Sequence, residues 1–347
     1  MKRYRFVGSR IVKTGVAVFL TAFICKLIGW PPVFAVITAI VTIEPTVSDS
    51  IKKGLIRFPA SAIGSAYAVL FISLFGNSSL TYMLAAVCTI TTCYKLKLHA
   101  GLLVATLTSV AMIEVIHSNF LISFFIRLGT TTIGLGVSTI INMFILPPDY
   151  REHIAKHVQH ISKQTGIVIE TLFRIMLENR DPSSLKQKML YELEEEISKT
   201  EILIRFQRDE AAYHPLAKSE REEFHHVESQ LSNLRLIHYH IENLIYTPID
   251  NLSWSEEERM VIMKAVRQLV TVFRDPSSYD KENYHEKQYE LMEVFWEDNA
   301  EITRNNEIHP TTFPAELIIL YELLSIYELV DESFQNLEED SKEATDE

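Results

Sequence analysis

The sequence predicts an all-α membrane protein: six transmembrane helices followed by a cytoplasmic bundle of antiparallel helices. Three observations support this prediction. Six apolar segments fill the first 146 residues, only one glycine occurs after Gly136, and the net charge changes sign between the two parts of the chain. A length of 347 residues leaves room for about two domains.

The domain boundary is visible in the charged residues. Residues 1–146 contain 12 lysines and arginines against three acidic residues, whereas residues 147–347 contain 21 against 42. So abrupt a change in composition marks a boundary between domains. It falls at Pro147 and Pro148, and proline both ends a helix and is tolerated in the first turn of the next one. We predict a transmembrane domain over 1–146, a cytoplasmic helical domain over 147–337 and a disordered acidic tail over 338–347.

The six apolar segments cover residues 14–28, 32–43, 55–75, 80–93, 99–116 and 119–146. A helix needs about 20 residues to cross the hydrocarbon core, so the short second and fourth segments need their flanking residues. The first segment begins like a signal peptide, but no small-residue cleavage site follows it, and we expect it to remain as a span. The three cysteines lie in these segments without a CxxC pair, which predicts buried thiols.

The basic residues of the connecting loops predict the orientation in the membrane. They lie before the first span, after the second and after the fourth: Lys2, Arg3, Arg5, Arg10, Lys13, Lys52, Lys53, Arg57, Lys95 and Lys97. The connections on the other side, including residues 117–118, contain no lysine or arginine. Because basic loops stay in the cytoplasm, we predict a multi-pass plasma-membrane protein with both termini cytoplasmic.

The membrane half contains an internal repeat. Residues 35–64 and 105–134 share nine identities in thirty positions without a gap. In each copy a glutamate, Glu44 or Glu114, is followed thirteen residues later by an arginine, Arg57 or Arg127. Each copy holds three spans, so the second enters the membrane upside down, which is the inverted-repeat plan of many secondary transporters. Chance similarity between two apolar hairpins is the alternative.

Charged residues within the spans are the candidate functional residues. Arg127 lies about 12 Å into the sixth span, where a charge is costly unless it faces a polar partner or a cavity. Glu114, near the end of the fifth span, is its expected partner, and Glu44 and Arg57 form the equivalent pair near the cytoplasmic face. Arg127 and Arg57 are therefore candidates for anion binding, and Glu114 and Glu44 for proton coupling. A purely structural ion pair is the alternative.

Small and hydroxyl residues follow these arginines along the third and sixth spans. Gly64, Gly129, Thr130 and Gly134 are the members that we single out. Small residues let helices approach closely within a membrane, so we expect helix packing as their main role. A polar path beside the arginine is compatible with it.

The acidic half reads as long helices separated by prolines. Pro148, Pro182, Pro215, Pro248, Pro276 and Pro310 divide it into segments of about thirty residues with helical apolar spacing. His153, His157 and His160 share one helix face, but Glu152 is the only acid at a suitable spacing. We expect a solvated or headgroup-facing surface rather than a metal site.

Several classes of function are excluded by the motifs and the charge. The sequence contains no Walker loop, GxSxG or HExxH motif, so we predict neither an enzyme nor a bound cofactor. The acidic balance argues against nucleic acid as a partner, since that needs a basic face.

Arg127, Gly129, Thr130 and Gly134 match an Arg-x-Gly-Thr-x-x-x-Gly motif. With this motif, six spans and a long helical tail, the chain resembles the aromatic acid exporter (fusaric-acid-resistance-like) family, in its compact Gram-positive branch with a helical C-terminal domain. The resemblance covers the whole chain. The first repeat departs from the motif, since Pro59 and Ala60 replace its glycine and threonine.

The resemblance implies proton-driven export of aromatic carboxylates. The leading hypothesis is a secondary transporter that exports organic carboxylates, aromatic ones among them, with arginine binding the carboxylate and glutamate the proton. An organic-anion channel is one alternative, since plant malate channels share a similar plan. A non-transporting scaffold or sensor that acts through the cytoplasmic helices is another. The expected partners are membrane lipid, a small organic anion and a second copy in a homodimer.

Overall fold

The computed structural model describes residues 8–115, 120–178, 183–247, 252–305 and 314–346, and their regular structure is entirely helical. The all-α fold class is therefore confirmed. The predicted loop residues Lys2, Arg3 and Arg5 and the connection at 117–118 lie outside the described residues. The chain divides into two compact units, Met1–Asp149 with Phe206–Pro215, and Tyr150–Arg205 with Leu216–Glu347.

The first unit contains six helices: α1 Ser9–Ile28, α2 Val33–Thr42, α3 Val47–Phe75, α4 Ser79–Lys95, α5 Leu102–Val115 and α6 Phe120–Phe144. A short 3-10 turn, His99–Gly101, precedes α5. Helices α1, α3 and α6 are long and apolar enough to cross a membrane, and α2 and α5 are shorter apolar helices. These helices confirm the prediction of a membrane protein.

Local signals set the helix ends in this unit. Gly29 adopts a left-handed conformation (φ 80°) that ends α1, and its N–H donates to the carbonyl oxygens of Cys25 and Lys26. Thr46 and Ser78 are the N-caps of α3 and α4, because each side-chain oxygen accepts a hydrogen bond from the backbone N–H three residues later.

The side chains of the first unit are distributed as a lipid-exposed protein requires. Large apolar residues lie on the outside, including Phe19, Leu27, Leu55, Leu121 and Phe125. Alanine, serine and threonine fill the interior. Because so much exposed leucine and phenylalanine is unusual for a water-soluble surface, the arrangement fits helices packed through small residues within lipid.

The second unit is built from α7 Arg151–Leu177, most of α8 Ser183–Ala211, α9 Lys218–Tyr246, α10 Glu256–Arg274, α11 Lys281–Asn305 and α12 Ala315–Asp346. Helices α7 to α11 each lie between two of the prolines that divide the sequence, and α12 follows the last of them. Their apolar faces share one core. Within it, the hydroxyl of buried Tyr284 donates to the carbonyl oxygen of Tyr327. The hydroxyl of Tyr327 donates in turn to the carbonyl oxygen of Ala265. The composition predicts a disordered tail at residues 338–347, but helix α12 continues through residue 346. Glutamate, lysine and alanine in this segment are good helix formers, which explains the extension.

Candidate functional site

Arg57 on α3 is a buried cation with an acceptor for each of its three side-chain nitrogens. The residue is 6% exposed. Nη2 lies 2.7 Å from Glu44 Oε1, Nη1 lies 3.1 Å from the carbonyl oxygen of Val41, and Nε lies 3.3 Å from that of Ala100. Such charge-assisted bonds compensate the loss of water around the guanidinium. The structure thus brings together the predicted pair of the first repeat.

Glu44 lies in the connection between α2 and α3 and is held by a second cation. Lys53 Nζ lies 3.0 Å from Glu44 Oε2 and 3.2 Å from Asp49 Oδ2. The backbone N–H of Glu44 donates to the hydroxyl of Ser50 at 3.3 Å. The cations of Arg57 and Lys53 and the carboxylates of Glu44 and Asp49 therefore form a neutral cluster near the N-terminal end of α3.

Arg127 on α6 is buried, and no carboxylate among the described residues pairs with it. It is 3% exposed, its Nη2 donates to the hydroxyl of Thr108, and its Cζ lies 4.3 Å from the centroid of the Phe34 ring. Its Nε and Nη1 have no hydrogen-bond partner among the described residues. Burying unpaired N–H groups of a cation is costly, so these atoms mark a place where an anion or water is required.

The predicted pairing of Glu114 with Arg127 is wrong for this structure. Glu114 is exposed and accepts a hydrogen bond from the hydroxyl of Tyr82 instead. Arg127 packs at the level of Thr108, which precedes Glu114 on α5 by six residues, or about 9 Å along the helix. Six residues also rotate the side chain to another face, so Arg127 cannot contact both positions at once.

The glycines of the motif permit close contact between helices. A Cβ atom at Gly64 would lie 2.3 Å from the carbonyl oxygen of Ala105, and one at Gly134 would lie 2.4 Å from that of Ala35. A Cβ at Gly129 would lie 2.3 Å from the ring of Trp30. These distances support the packing role. Thr130 donates its hydroxyl to the carbonyl of Arg127 on its own helix, so here it does not line a polar path.

The glycine contacts between the two repeats are reciprocal. Gly64 of the first copy meets Ala105 of the second, and Gly134 of the second meets Ala35 of the first, both pairs being equivalent at a spacing of 70 residues. The hydroxyl oxygens of Ser61 and Thr131, also 70 residues apart, lie 3.4 Å from each other. This reciprocal pattern is what a twofold relation between the two copies would produce.

The repeat extends into α1 and α4, which the sequence comparison missed. Fully buried residues follow the same Ala-x-x-x-Thr-x-x-x-Cys order on both helices: Ala17, Thr21 and Cys25 on α1, and Ala85, Thr89 and Cys93 on α4. Their spacing is 68 residues, because the second copy has two extra residues before its second helix. A gapless comparison at 70 cannot align them, whereas one allowing a gap would.

Comparison with known proteins identifies the family. The family model described as "Aromatic acid exporter family member 1" matches residues 5–145. A UPF0421 protein of Oceanobacillus iheyensis is 50% identical over 337 residues, covering 96% of this chain and 97% of the relative. The chain belongs to the aromatic acid exporter family. Other members similar to it are UPF0421 proteins of Bacillus cereus (40% identity, 96% of this chain and 94% of the relative) and Staphylococcus haemolyticus (34%, 96% and 98%).

The part of the chain that the family model matches also contains a group of buried polar contacts that the sequence analysis did not predict. We call this group, centred on Asn142, the polar anchor. Asn142 on α6 donates to Ser50 Oγ at 2.8 Å and to the carbonyl oxygens of Glu44 and Thr46, each at 3.2 Å. Lys13 Nζ lies 2.9 Å from Asn142 Oδ1. This anchor fixes the segment that carries Glu44. A lone asparagine within an apolar span is the only sequence signal for it.

Glu210 is a second residue whose role the sequence analysis did not predict. It lies within Phe206–Pro215 of the first unit. Its buried carboxylate accepts the backbone N–H of Val47, the first residue of α3, at 3.0 Å, and lies 2.8 Å from His214 Nδ1. A carboxylate at a helix N-terminus is stabilised by the helix dipole. The sequence separation of 163 residues gives no local signal for this contact.

The second unit contains a cavity of about 480 Å³. Its walls are apolar, with Val158, Ile237 and Phe273 among them, and Gln230 and Asn233 lie at its polar edge. The predicted histidine face lies nearby on α7, with the rings of His153 and His157 4.4 Å apart. Among the described residues, no group of three histidine, cysteine, aspartate or glutamate side chains could hold a metal ion.

Proposed function

We propose that the protein is a secondary transporter that exports organic carboxylates, aromatic ones among them, across the plasma membrane in exchange for protons. The observation that carries this proposal is Arg127, a buried guanidinium with two nitrogens unpartnered among the described residues. Membership of the aromatic acid exporter family supports export as the direction.

The surroundings of Arg127 suit an aromatic acid. A guanidinium donates charge-assisted hydrogen bonds to a carboxylate, and Nε and Nη1 of Arg127 are the available donors. The Phe34 ring already covers this guanidinium, and the Trp30 ring lies against Gly129, two residues further along α6. These two rings supply apolar surface for the body of an aromatic substrate.

Glu114 is the better candidate for proton coupling. Glu44 is held by Arg57 and Lys53, so its protonation would break two ion pairs. Glu114 is exposed and bonded to the hydroxyl of Tyr82. Protonation there costs no ion pair seen among the described residues. This assignment fits a carboxyl group that must gain and lose a proton in each cycle.

We propose the six-span, inverted-repeat topology together with this function. The reciprocal glycine contacts between the two copies support it, as does the shared pattern of α1 and α4. The two halves would enter the membrane in opposite orientations and carry a substrate site between them. We further propose that the protein acts as a homodimer.

Flux into proteoliposomes tests the proposal. A pH gradient should drive uptake of benzoate and related acids by the wild type, and Arg127→Ala should reduce this flux at least about tenfold, because a charge-assisted hydrogen bond to the carboxylate is lost. Lys26→Ala, which removes an exposed cation of α1, is the matched control and should leave the flux unchanged. Absence of gradient-driven flux for every acid tested would refute transport, and flux without proton coupling would indicate the channel instead.

The cavity in the second unit favours a second function, the sensing of a small molecule by the cytoplasmic helices. Its size and its apolar walls with a few polar groups suit a small amphipathic ligand. Calorimetric titration of the full-length protein with benzoate should show a second binding event that survives in Arg127→Ala. Ile237→Trp fills the cavity and should abolish that event, whereas Leu236→Trp on the exposed side should not. Unchanged binding in Ile237→Trp would exclude this cavity.

A further inference from the structure

Each repeat carries the same three side chains at the same spacing. A threonine precedes the glutamate by six residues and an arginine follows it by thirteen: Thr38, Glu44 and Arg57 in the first copy, and Thr108, Glu114 and Arg127 in the second. All six residues lie within the described part of the first unit. The two sets are therefore chemically identical and can be compared position by position.

The two sets adopt different arrangements. In the first copy the arginine is paired with the glutamate, and the hydroxyl of Thr38 donates to the carbonyl of Phe34 on its own helix at 2.9 Å. In the second copy the arginine donates to the hydroxyl of Thr108, and Glu114 is bonded to Tyr82. Arginine thus occupies one of two positions in each copy, on the glutamate or on the threonine.

We propose that each copy is a two-position arginine switch and that the two switches exchange positions during the transport cycle. In the exchanged state Arg127 pairs with Glu114, while Arg57 leaves Glu44 and donates to Thr38. This inference rests on the proposed transport function and names the groups that would open and close the site. Because inverted copies direct their glutamates toward opposite faces of the membrane, the exchange closes one face and opens the other.

The exchange keeps the number of arginine–glutamate ion pairs constant. One arginine is paired in each state, so breaking the Glu44 pair is offset by forming the Glu114 pair. The arginine without a carboxylate partner is the one available to the substrate anion. Such a balance lets two states lie close in energy, as alternating access requires.

Local differences explain why the arginine is paired with the glutamate in the first copy and with the threonine in the second. Lys53 adds a second cation to Glu44, whereas Ser123 stands at the equivalent position of the second copy. Asn142 fixes the segment that carries Glu44 through its bonds to Thr46 and Glu44. These contacts stabilise the pairing of Arg57 with Glu44 and, among the described residues, have no equivalent in the second copy.

Fluorine NMR of the full-length protein labelled with 5-fluorotryptophan tests the switch without any substrate. The Trp30 ring lies against Gly129, two residues after Arg127 on α6, so its resonance should respond when α6 turns as Arg127 changes partner, and Trp30→Phe assigns it. We expect a minor Trp30 resonance at about 0.1–10% for the second state. Glu44→Gln should raise it to a share comparable with the major one, and Glu114→Gln should remove it.

Two further variants must follow the same crossed pattern. Thr108→Val removes the acceptor that holds Arg127 in the observed state and should act like Glu44→Gln, whereas Thr38→Val removes the acceptor of Arg57 in the exchanged state and should act like Glu114→Gln. Unchanged Trp254 and Trp296 resonances, together with an unchanged gel-filtration volume, show that a variant has folded. Equal shifts in both glutamate variants, or none in either, would overturn the switch. Opposite shifts in a protein that transports no carboxylate would retain the switch and refute the proposed cargo.

Discussion

Two arginines at equivalent positions of the repeat differ in what surrounds them. Arg57 has an acceptor for each of its three nitrogens, and Arg127 has one for a single nitrogen among the described residues. The neighbouring glycines differ less, since Gly64 and Gly134 each touch a backbone carbonyl of the other copy. At the residue scale the repeat is thus symmetric in its packing and asymmetric in its charges.

Replacing Gly134 by alanine should destabilise the membrane helices. The added methyl group would lie 2.4 Å from the carbonyl oxygen of Ala35, which belongs to the backbone and cannot rotate away, so we expect a loss of about 1–3 kcal/mol. Thermal unfolding in detergent measures it. Gly136→Ala is the matched control, because nothing lies within 4 Å of its added Cβ. Equal melting temperatures for the two variants would contradict the close contact.

The second unit should lose stability on mild acidification through His157. Burial and the neighbouring His153 lower the pKa of His157, outweighing Glu196, which raises it. The unfolded chain therefore takes up a proton near pH 6.5 while the folded chain does so only at lower pH, so stability falls as the pH drops below about 6.5.

Denaturant titrations of the full-length protein at pH 7.5 and 5.5 measure this effect. His157→Gln should lose less stability between the two pH values than the wild type, because the proton-linked difference is removed. His225→Gln, which replaces an exposed histidine on α9, serves as the control and should behave like the wild type. An unchanged pH dependence in His157→Gln would rule out this residue as the cause.

At the scale of the helices, α3 has the most varied set of partners. It contacts α2, α4, α5 and α6, and its N-terminus is capped from two sides. Thr46 accepts the N–H of Asp49, and Glu210 accepts the N–H of Val47. These bonds satisfy two of the four backbone N–H groups that a helix leaves open at its start.

Removing the Glu210 carboxylate should destabilise the start of α3. Glu210→Ala leaves the buried N–H of Val47 without its acceptor, which we expect to cost about 1–3 kcal/mol. Asp209→Ala is the control, since Asp209 lies 4.0 Å from a largely exposed Lys52 and an exposed pair of this kind contributes about 0–1 kcal/mol. Thermal unfolding in detergent compares the two. A larger loss in Asp209→Ala would refute the capping role.

The helices were more predictable than their side-chain partners. Apolar segments and prolines are local signals, and they predicted most helix bounds to within a few residues, apart from the earlier start of α3 at Val47 and the extension of α12 through 338–346. The pair Glu44–Arg57 was predicted from its spacing in the repeat. Arg127 and Glu114 did not pair, because the depth of a side chain depends on how α5 and α6 pack. Glu210 could not be predicted, since its partner lies 163 residues away.

For the whole molecule, the opposite charges of the two parts suit opposite environments. The membrane half is basic in its loops and apolar on its outer surface, whereas the second half is acidic and buries one apolar core. In the proposed topology the acidic helices lie on the cytoplasmic side, where the membrane surface is also negative. The basic loops would be attracted to the same surface.

Reporter fusions test the orientation of the chain. Green fluorescent protein at the C-terminus should fluoresce, because it folds in the cytoplasm, and alkaline phosphatase inserted between α3 and α4 at Gly76 should be active outside. The same enzyme inserted after Leu96, in the basic connection that follows α4, should be inactive, since positive loops remain inside. Activity at Leu96 with none at Gly76 would reverse the proposed topology.

The contacts of Gly64 with Ala105 and of Gly134 with Ala35 have a mechanical consequence. A glycine against a carbonyl oxygen is a point of contact to which the glycine itself contributes no side chain. One helix can roll about such a point without a knob from the glycine having to leave its hole. The two contacts would therefore act as a matched pair of pivots, one in each half, on which the helices carrying Arg57 and Arg127 can turn while their backbones stay together.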